Sequence, residues 1–174
     1  MKRLSNKKGF TLVETVLYIA ILAVFLVSAV QFSLSIIASA QKVRTLHEVE
    51  QNARFAIERI RKEIRTADNI NIGSSTFGSS PGVLSLVDDD PTNDPTTFDV
   101  SAGTLRITQG AGSATALTSS TVNVSNLVFT DLSVSGRTRN IKIELTVEWA
   151  NTSSTEYSTS VSRTTSVVVR EEED

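Results

Sequence analysis

The chain has 174 residues, 17 Lys or Arg against 19 Asp or Glu, a net charge of −2 and no cysteine. That length suits one ordinary domain, and the absence of cysteine excludes a disulfide framework, a thiolate metal site and a thiol nucleophile. The averages conceal a split: apolar residues crowd the first quarter, whereas Ser, Thr, Val and Asn dominate the second half, so the two parts face different surroundings.

The N-terminus is basic, with Lys2, Arg3, Lys7 and Lys8 and no acid among them, and from Thr15 to Gln41 no residue is charged. As a helix rising about 1.5 Å per residue, Val16 to Ala40 would span roughly 38 Å, more than the ~30 Å of a bilayer core. A basic start before such a stretch predicts a cytoplasmic N-terminus and an exported remainder. Beyond Asn69 six basic residues (Arg106, Arg137, Arg139, Lys142, Arg163, Arg170) face thirteen acidic ones, which gives no electrostatic reason for that part to bind nucleic acid. Two ordinary readings are open, a plain single-pass anchor and a secretory signal peptide cut after Ala40 in "ASAQ"; for the latter the apolar run exceeds the usual stretch of about 7–15 residues. Neither accounts for Glu14, a carboxylate at the mouth of the run that costs about 2.5–3.5 kcal/mol at the centre of a bilayer.

The stretch "KKGFTLVETVLYIAIL" resembles the N-terminal motif of type IV pilins and type II secretion pseudopilins: a short basic leader ending in Gly9, then Phe10, Thr11, Leu12, a variable Val13, and Glu14, leading straight into a transmembrane-length helix. The resemblance implies that a membrane-embedded aspartic prepilin peptidase cuts between Gly9 and Phe10 and N-methylates Phe10, the apolar segment staying on the mature chain. Gly9 has no side chain to hinder a peptidase, and Lys7 and Lys8 hold the scissile bond at the cytoplasmic face. It also implies a register role for Glu14, neutralising the amine of a neighbouring subunit, since a carboxylate in low dielectric is tolerated when paired and hydrogen-bonded. Many major pilins carry a Pro about two-thirds along this segment; Gln31 stands there and the segment has neither Pro nor Gly, which suits a minor pilin or pseudopilin better. The tip-most pseudopilin of the family typically lacks the Glu, so the resemblance places this chain just below a tip.

From Gln41 onward Val43, Leu46, Ala53, Ile57, Ile60, Ile64 and Ala67 fall at steps of three, four or seven, an apolar stripe on a helix. Glu50 with Arg54 and Glu58 with Lys62 are the expected supporting pairs. The helix is expected from about Thr11 to Ala67, ended by Asp68, Asn69 and Gly73, with the stripe packed on the chain's own sheet rather than in a coiled coil. His47 has no Cys or second His to join it in a metal site and is expected as a solvated helix residue.

The rest reads as strands. "NIKIELTVEW" alternates Ile141, Ile143, Leu145, Val147 and Trp149 with Lys142, Glu144, Thr146 and Glu148; "TFDVSAGTLRIT" is a hairpin turning at Ala102 and Gly103; "LVFTDLSV" and "SVSRTTSVVVRE" supply two more strands, and Trp149 is expected in the core. "ERIRKEIRTADNI", "NLVFTDLSV" and the late "VVVRE" further resemble minor pseudopilins of the J type and their type IV pilus relatives. "DDDPTND" clusters carboxylates beside Pro91 and Pro95, making Asp88, Asp90 and Asp94 calcium candidates, but it lacks the alternating Asp and turn Gly of an EF-hand, so a solvated loop is the expectation. "EEED" reads as an acidic tail. With one His, no phosphate loop and no nucleophile elbow, no enzyme is expected, and no cofactor.

The expected fold is α+β: a long bipartite N-terminal helix, its first half transmembrane, packed against an antiparallel β-sheet head. The expected divisions are a leader (1–9), a transmembrane and filament-core helix (10–40), an amphipathic helix packed on the head (41–68), the β-rich head (69–170) and the tail (171–174). The resemblance implies a structural subunit of the inner membrane, then of a pilus or pseudopilus, whose partners are prepilin peptidase, other pilins in a helical filament, an inner-membrane assembly platform and lipid, with no nucleic acid bound directly. The rival is a membrane-anchored surface adhesin or sensor that never polymerises. Secretion, twitching and DNA uptake are not separable from these residues.

Overall fold

The computed structural model describes residues 9–134, 139–151 and 158–169. The leader charges Lys7 and Lys8 and the tail 171–174 lie outside them. The chain divides into two compact units, Met1–Lys42 and Val43–Asp174, and helix α1 (Leu12–Thr66) contributes residues to both.

No Gly or Pro interrupts the 55 residues of α1, so every amide past the first turn can join the helical ladder. Thr11 caps it: its Oγ1 accepts from the Glu14 amide at 3.2 Å, and Glu14 in the first turn complements the helix dipole. In the first unit every described side chain except Glu14 and Ala38 is exposed, among them Leu22, Phe25, Leu26, Phe32 and Ile36. With a mean hydropathy of 2.4, the segment is long and apolar enough to cross a bilayer. The hydroxyls of Ser28, Ser33 and Ser39 each donate at 2.9 Å to the carbonyl four residues back, so these polar atoms are satisfied within the helix, as hydrocarbon surroundings demand.

In the second unit α1 buries Thr45, Val49, Ala53, Ala56, Ile57, Ile60, Glu63 and Ile64. Val43 and Leu46, expected in this stripe, are 53% and 43% exposed. At 100° per residue Val43 lies about 120° from Val49 around the helix, and Leu46 about 60°. The helix meets two antiparallel sheets rather than the single one expected. The first has the order β1-β2-β3-β4-β5, with β1 Asn69–Ile70, β2 Leu84–Val87, β3 Thr96–Ser101, β4 Thr104–Gln109 and β5 Thr115–Ala116. The second has the order β6-β7-β8, with β6 Val122–Asp131, β7 Asn140–Trp149 and β8 Ser160–Val168. A short 3-10 turn, Ile72–Ser74, follows β1. The alternation on β7 is as expected: Ile141, Ile143, Leu145 and Val147 are fully buried, and Trp149 packs partly buried against the core. Phe98, Leu105, Leu127 and Phe129 bring the two sheets and the helix into one apolar cluster.

The β3–β4 hairpin turns where expected, at Ala102 (φ 48°) and Gly103 (φ 75°), the left-handed pair a type I′ turn requires. Gly103 is fixed twice over, since a Cβ there would lie 1.8 Å from Asn123 Oδ1. That amide in turn donates from Nδ2 to Glu148 Oε1 at 2.9 Å across the β6–β7 ladder.

Polar contacts of long sequence separation tie the helix to β4, to β8 and to the loop before β6. Glu50 pairs with Arg163 of β8 rather than with Arg54, and Glu58 with Arg61 rather than Lys62. Glu48 accepts from Thr121 Oγ1 at 2.8 Å, and Asn52 Oδ1 from the Ser119 amide at 2.9 Å. Buried Glu63 is satisfied by Arg59 at 3.2 Å and by Gln109 of β4 at 3.4 Å, as a carboxylate away from water must be. Ile60, fully buried in the middle of the stripe, carries much of this packing. Ile60→Ala should lower unfolding stability by about 2–5 kcal/mol in a urea titration of the chain; a loss under about 1 kcal/mol would mean that the stripe does not hold helix to sheets.

Candidate functional site: the N-terminal helix mouth

Gly9, Phe10 and Thr11 precede the helix and form no regular structure. The peptide between Gly9 and Phe10 is therefore not locked into helical hydrogen bonds. Phe10 is 76% exposed, and a Cβ built on Gly9 would meet no atom within 4 Å. Nothing in the described chain shields this bond.

One turn on, Thr11, Glu14, Thr15 and Tyr18 interlock. The Thr15 amide donates to the Thr11 carbonyl at 3.1 Å, and the Thr15 hydroxyl to the same oxygen at 2.9 Å. Tyr18 Oη donates to Glu14 Oε1 at 3.1 Å. The rings of Phe10 and Tyr18 meet edge to face, centroids 6.3 Å apart and planes at 74°, the preferred aromatic geometry. Gly9, Phe10 and Glu14 are thus gathered at one end of α1, and Glu14 doubles as the acidic third residue of a Thr-x-x-Glu start. Sequence reasoning singled out neither that capping arrangement nor Tyr18. The signals were present: Thr three residues before Glu, and Tyr four residues after it on the same helical face. Chemically the arrangement offers an accessible peptide bond and a carboxylate with one oxygen engaged; these are features of something acted upon.

The acidic loop is built differently. Asp88 Oδ1 accepts from the Asp90 amide at 2.9 Å, and Asp94 Oδ1 from the Asp88 amide at 3.3 Å. Asp90 accepts from the amide and hydroxyl of Thr92 at 2.9 and 2.7 Å, and from Asn93 at 3.2 Å. The Thr92 amide, and then its hydroxyl, hold the Asp90 carboxyl below the usual aspartate range. The carboxylates cap their own loop, and among the described residues no group of three or more His, Cys, Asp or Glu is placed to hold a metal ion. His47 is exposed on the helix.

Residues 4–30 match the model of the prokaryotic N-terminal methylation motif. The match begins in the basic leader, includes Gly9, Phe10, Glu14 and Tyr18, and ends inside the apolar segment. No curated protein and no solved structure matches the chain.

Proposed function

We propose that this chain is a prepilin-like structural subunit of a type IV pilus or type II secretion pseudopilus. The observation that carries the reading is the methylation motif at the head of a helix whose apolar side chains are all exposed through Ala40, apart from the partly covered Ala38. Exposed apolar surface on that scale calls for lipid, or for sister helices, to cover it.

On this reading prepilin peptidase, on the cytoplasmic side, removes residues 1–9 and N-methylates Phe10. Lys7 and Lys8 keep the leader there. Residues 10–40 hold the chain in the inner membrane with the head outside, then pack with other pilins in a helical filament raised by an inner-membrane platform. Residues 41–68 are the spine of the head (69–170), which presents its surface to neighbours, and 171–174 form an acidic tail. Glu14 sets axial register by meeting the new amine of a sister chain: unpaired, the carboxylate is costly in lipid, and assembly relieves that cost. The Pro-free apolar segment favours a minor subunit, of the J type or a relative, that primes or caps assembly just below the tip.

Mass spectrometry of the N-terminus, in cells with an active prepilin peptidase, tests this. The expected mature chain starts at N-methylated Phe10; a chain still starting at Met1, or cut after Ala40, would overturn the proposal in favour of a tethered or secreted protein. Stoichiometry in sheared filaments tests the finer point, because a minor subunit is expected at a small fraction of the main component.

A further inference from the structure

A carboxylate that must receive a charge from another molecule works best when its direction is fixed beforehand, and a glutamate side chain has three rotatable bonds to fix. At the mouth of α1 that constraint comes from Tyr18. Its hydroxyl donates to Glu14 Oε1 at 3.1 Å, while its ring meets that of Phe10 edge to face, centroids 6.3 Å apart. The tyrosine is therefore restrained at both ends, by the residue that becomes the N-terminus and by the carboxylate. One glutamate oxygen is engaged, and Oε2 is left to accept from a second chain. A phenol is also suited to this depth, since it brings one polar atom on a body that hydrocarbon tolerates.

We propose that Tyr18 is a positioning residue for Glu14, orienting its carboxylate toward the Phe10 amine of an incoming sister chain. The inference rests on the pilin-like reading above. Tyr18→Phe keeps the ring, the contact with Phe10 and the helix, and removes the hydrogen bond alone. In the full-length chain, produced with an active prepilin peptidase, cleavage after Gly9 should stay at the wild-type level, and the amount recovered in sheared filaments should fall about threefold to tenfold. In a Glu14→Ala background Tyr18→Phe should lower recovery no further. An unchanged recovery in the single variant, or an equal further loss in the double variant, overturns the proposal.

A second readout does not depend on assembly. With the full-length chain in phosphatidylethanolamine and phosphatidylglycerol vesicles, the infrared difference between wild type and Tyr18→Phe isolates the phenol C–O band of Tyr18. Glu14→Ala should shift that band; a band that stays in place overturns the hydrogen bond itself. If the band shifts while Glu14→Ala still enters filaments at the wild-type level, the hydrogen bond stands and the assembly reading is what fails, taking the positioning role with it.

Discussion

Gly9→Val should leave the chain uncleaved: in cells with an active prepilin peptidase, the mature species starting at Phe10 falls about a hundredfold or more, and the full-length precursor accumulates. A Cβ at Gly9 meets nothing within 4 Å in the chain itself, and the segment is non-helical, so the substitution neither strains this protein nor disturbs α1. The effect must then arise in the encounter with the enzyme, where misplacing a scissile bond by about 1 Å costs roughly 10²-fold in rate. Gly9→Ala, with the smallest added side chain, should be cut more slowly than wild type but faster than Val. Comparable processing of Val and wild type on immunoblots would mean that this bond is not the one cut.

Glu14→Ala should behave oppositely, with normal cleavage and a loss of about a hundredfold or more in incorporation into filaments. Removing one partner of a desolvated charge pair costs about 3–5 kcal/mol, because the other charge stays unpaired. The helix loses far less, about 0.3–1 kcal/mol from the acidic residue in its first turn. Glu14→Gln separates the two, since it keeps the length of the side chain and an oxygen that can still accept from Tyr18, and loses only the charge. If neutralisation is the role, Gln is as defective as Ala; near-normal incorporation of Gln would reduce Glu14 to a helix-start residue.

Where the signal is local, the sequence was a good guide. The long helix follows from an uninterrupted run without Pro or Gly, the hairpin from Ala102-Gly103, and β7 from strict alternation. What escaped was non-local. Strand β2 carries Leu84, Ser85 and Leu86 all buried in succession, so it has no alternation to detect, and β1 and β5 have two residues each, too few for any period. The division into two sheets depends on which strands pair, and pairing is not written in any one strand's pattern. Glu50 bonds an arginine 113 positions away rather than one four residues on, because the fold brings β8 beside this turn of the helix and exposed i,i+4 pairs are worth only a few tenths of a kcal/mol. At the helix mouth Gly9, Phe10 and Glu14 were legible from residue type and order. Tyr18 was not, because a tyrosine in an apolar run reads as one more hydrophobic residue until its hydroxyl is seen to have a partner.

The ties from α1 to the sheets also decide how the head responds to force. Glu48, Glu50 and Asn52, within about one turn of the helix, are anchored to Thr121, Arg163 and Ser119, and Glu63, about three turns on, to Gln109, beside the apolar stripe. Tension along the helix axis loads these anchors side by side, in shear, so that they must give way together. A sideways tug on the end of the helix would unzip them one after another. Within the second unit, residues 43–66 of α1 should thus resist sliding over the strands better than being lifted away from one end.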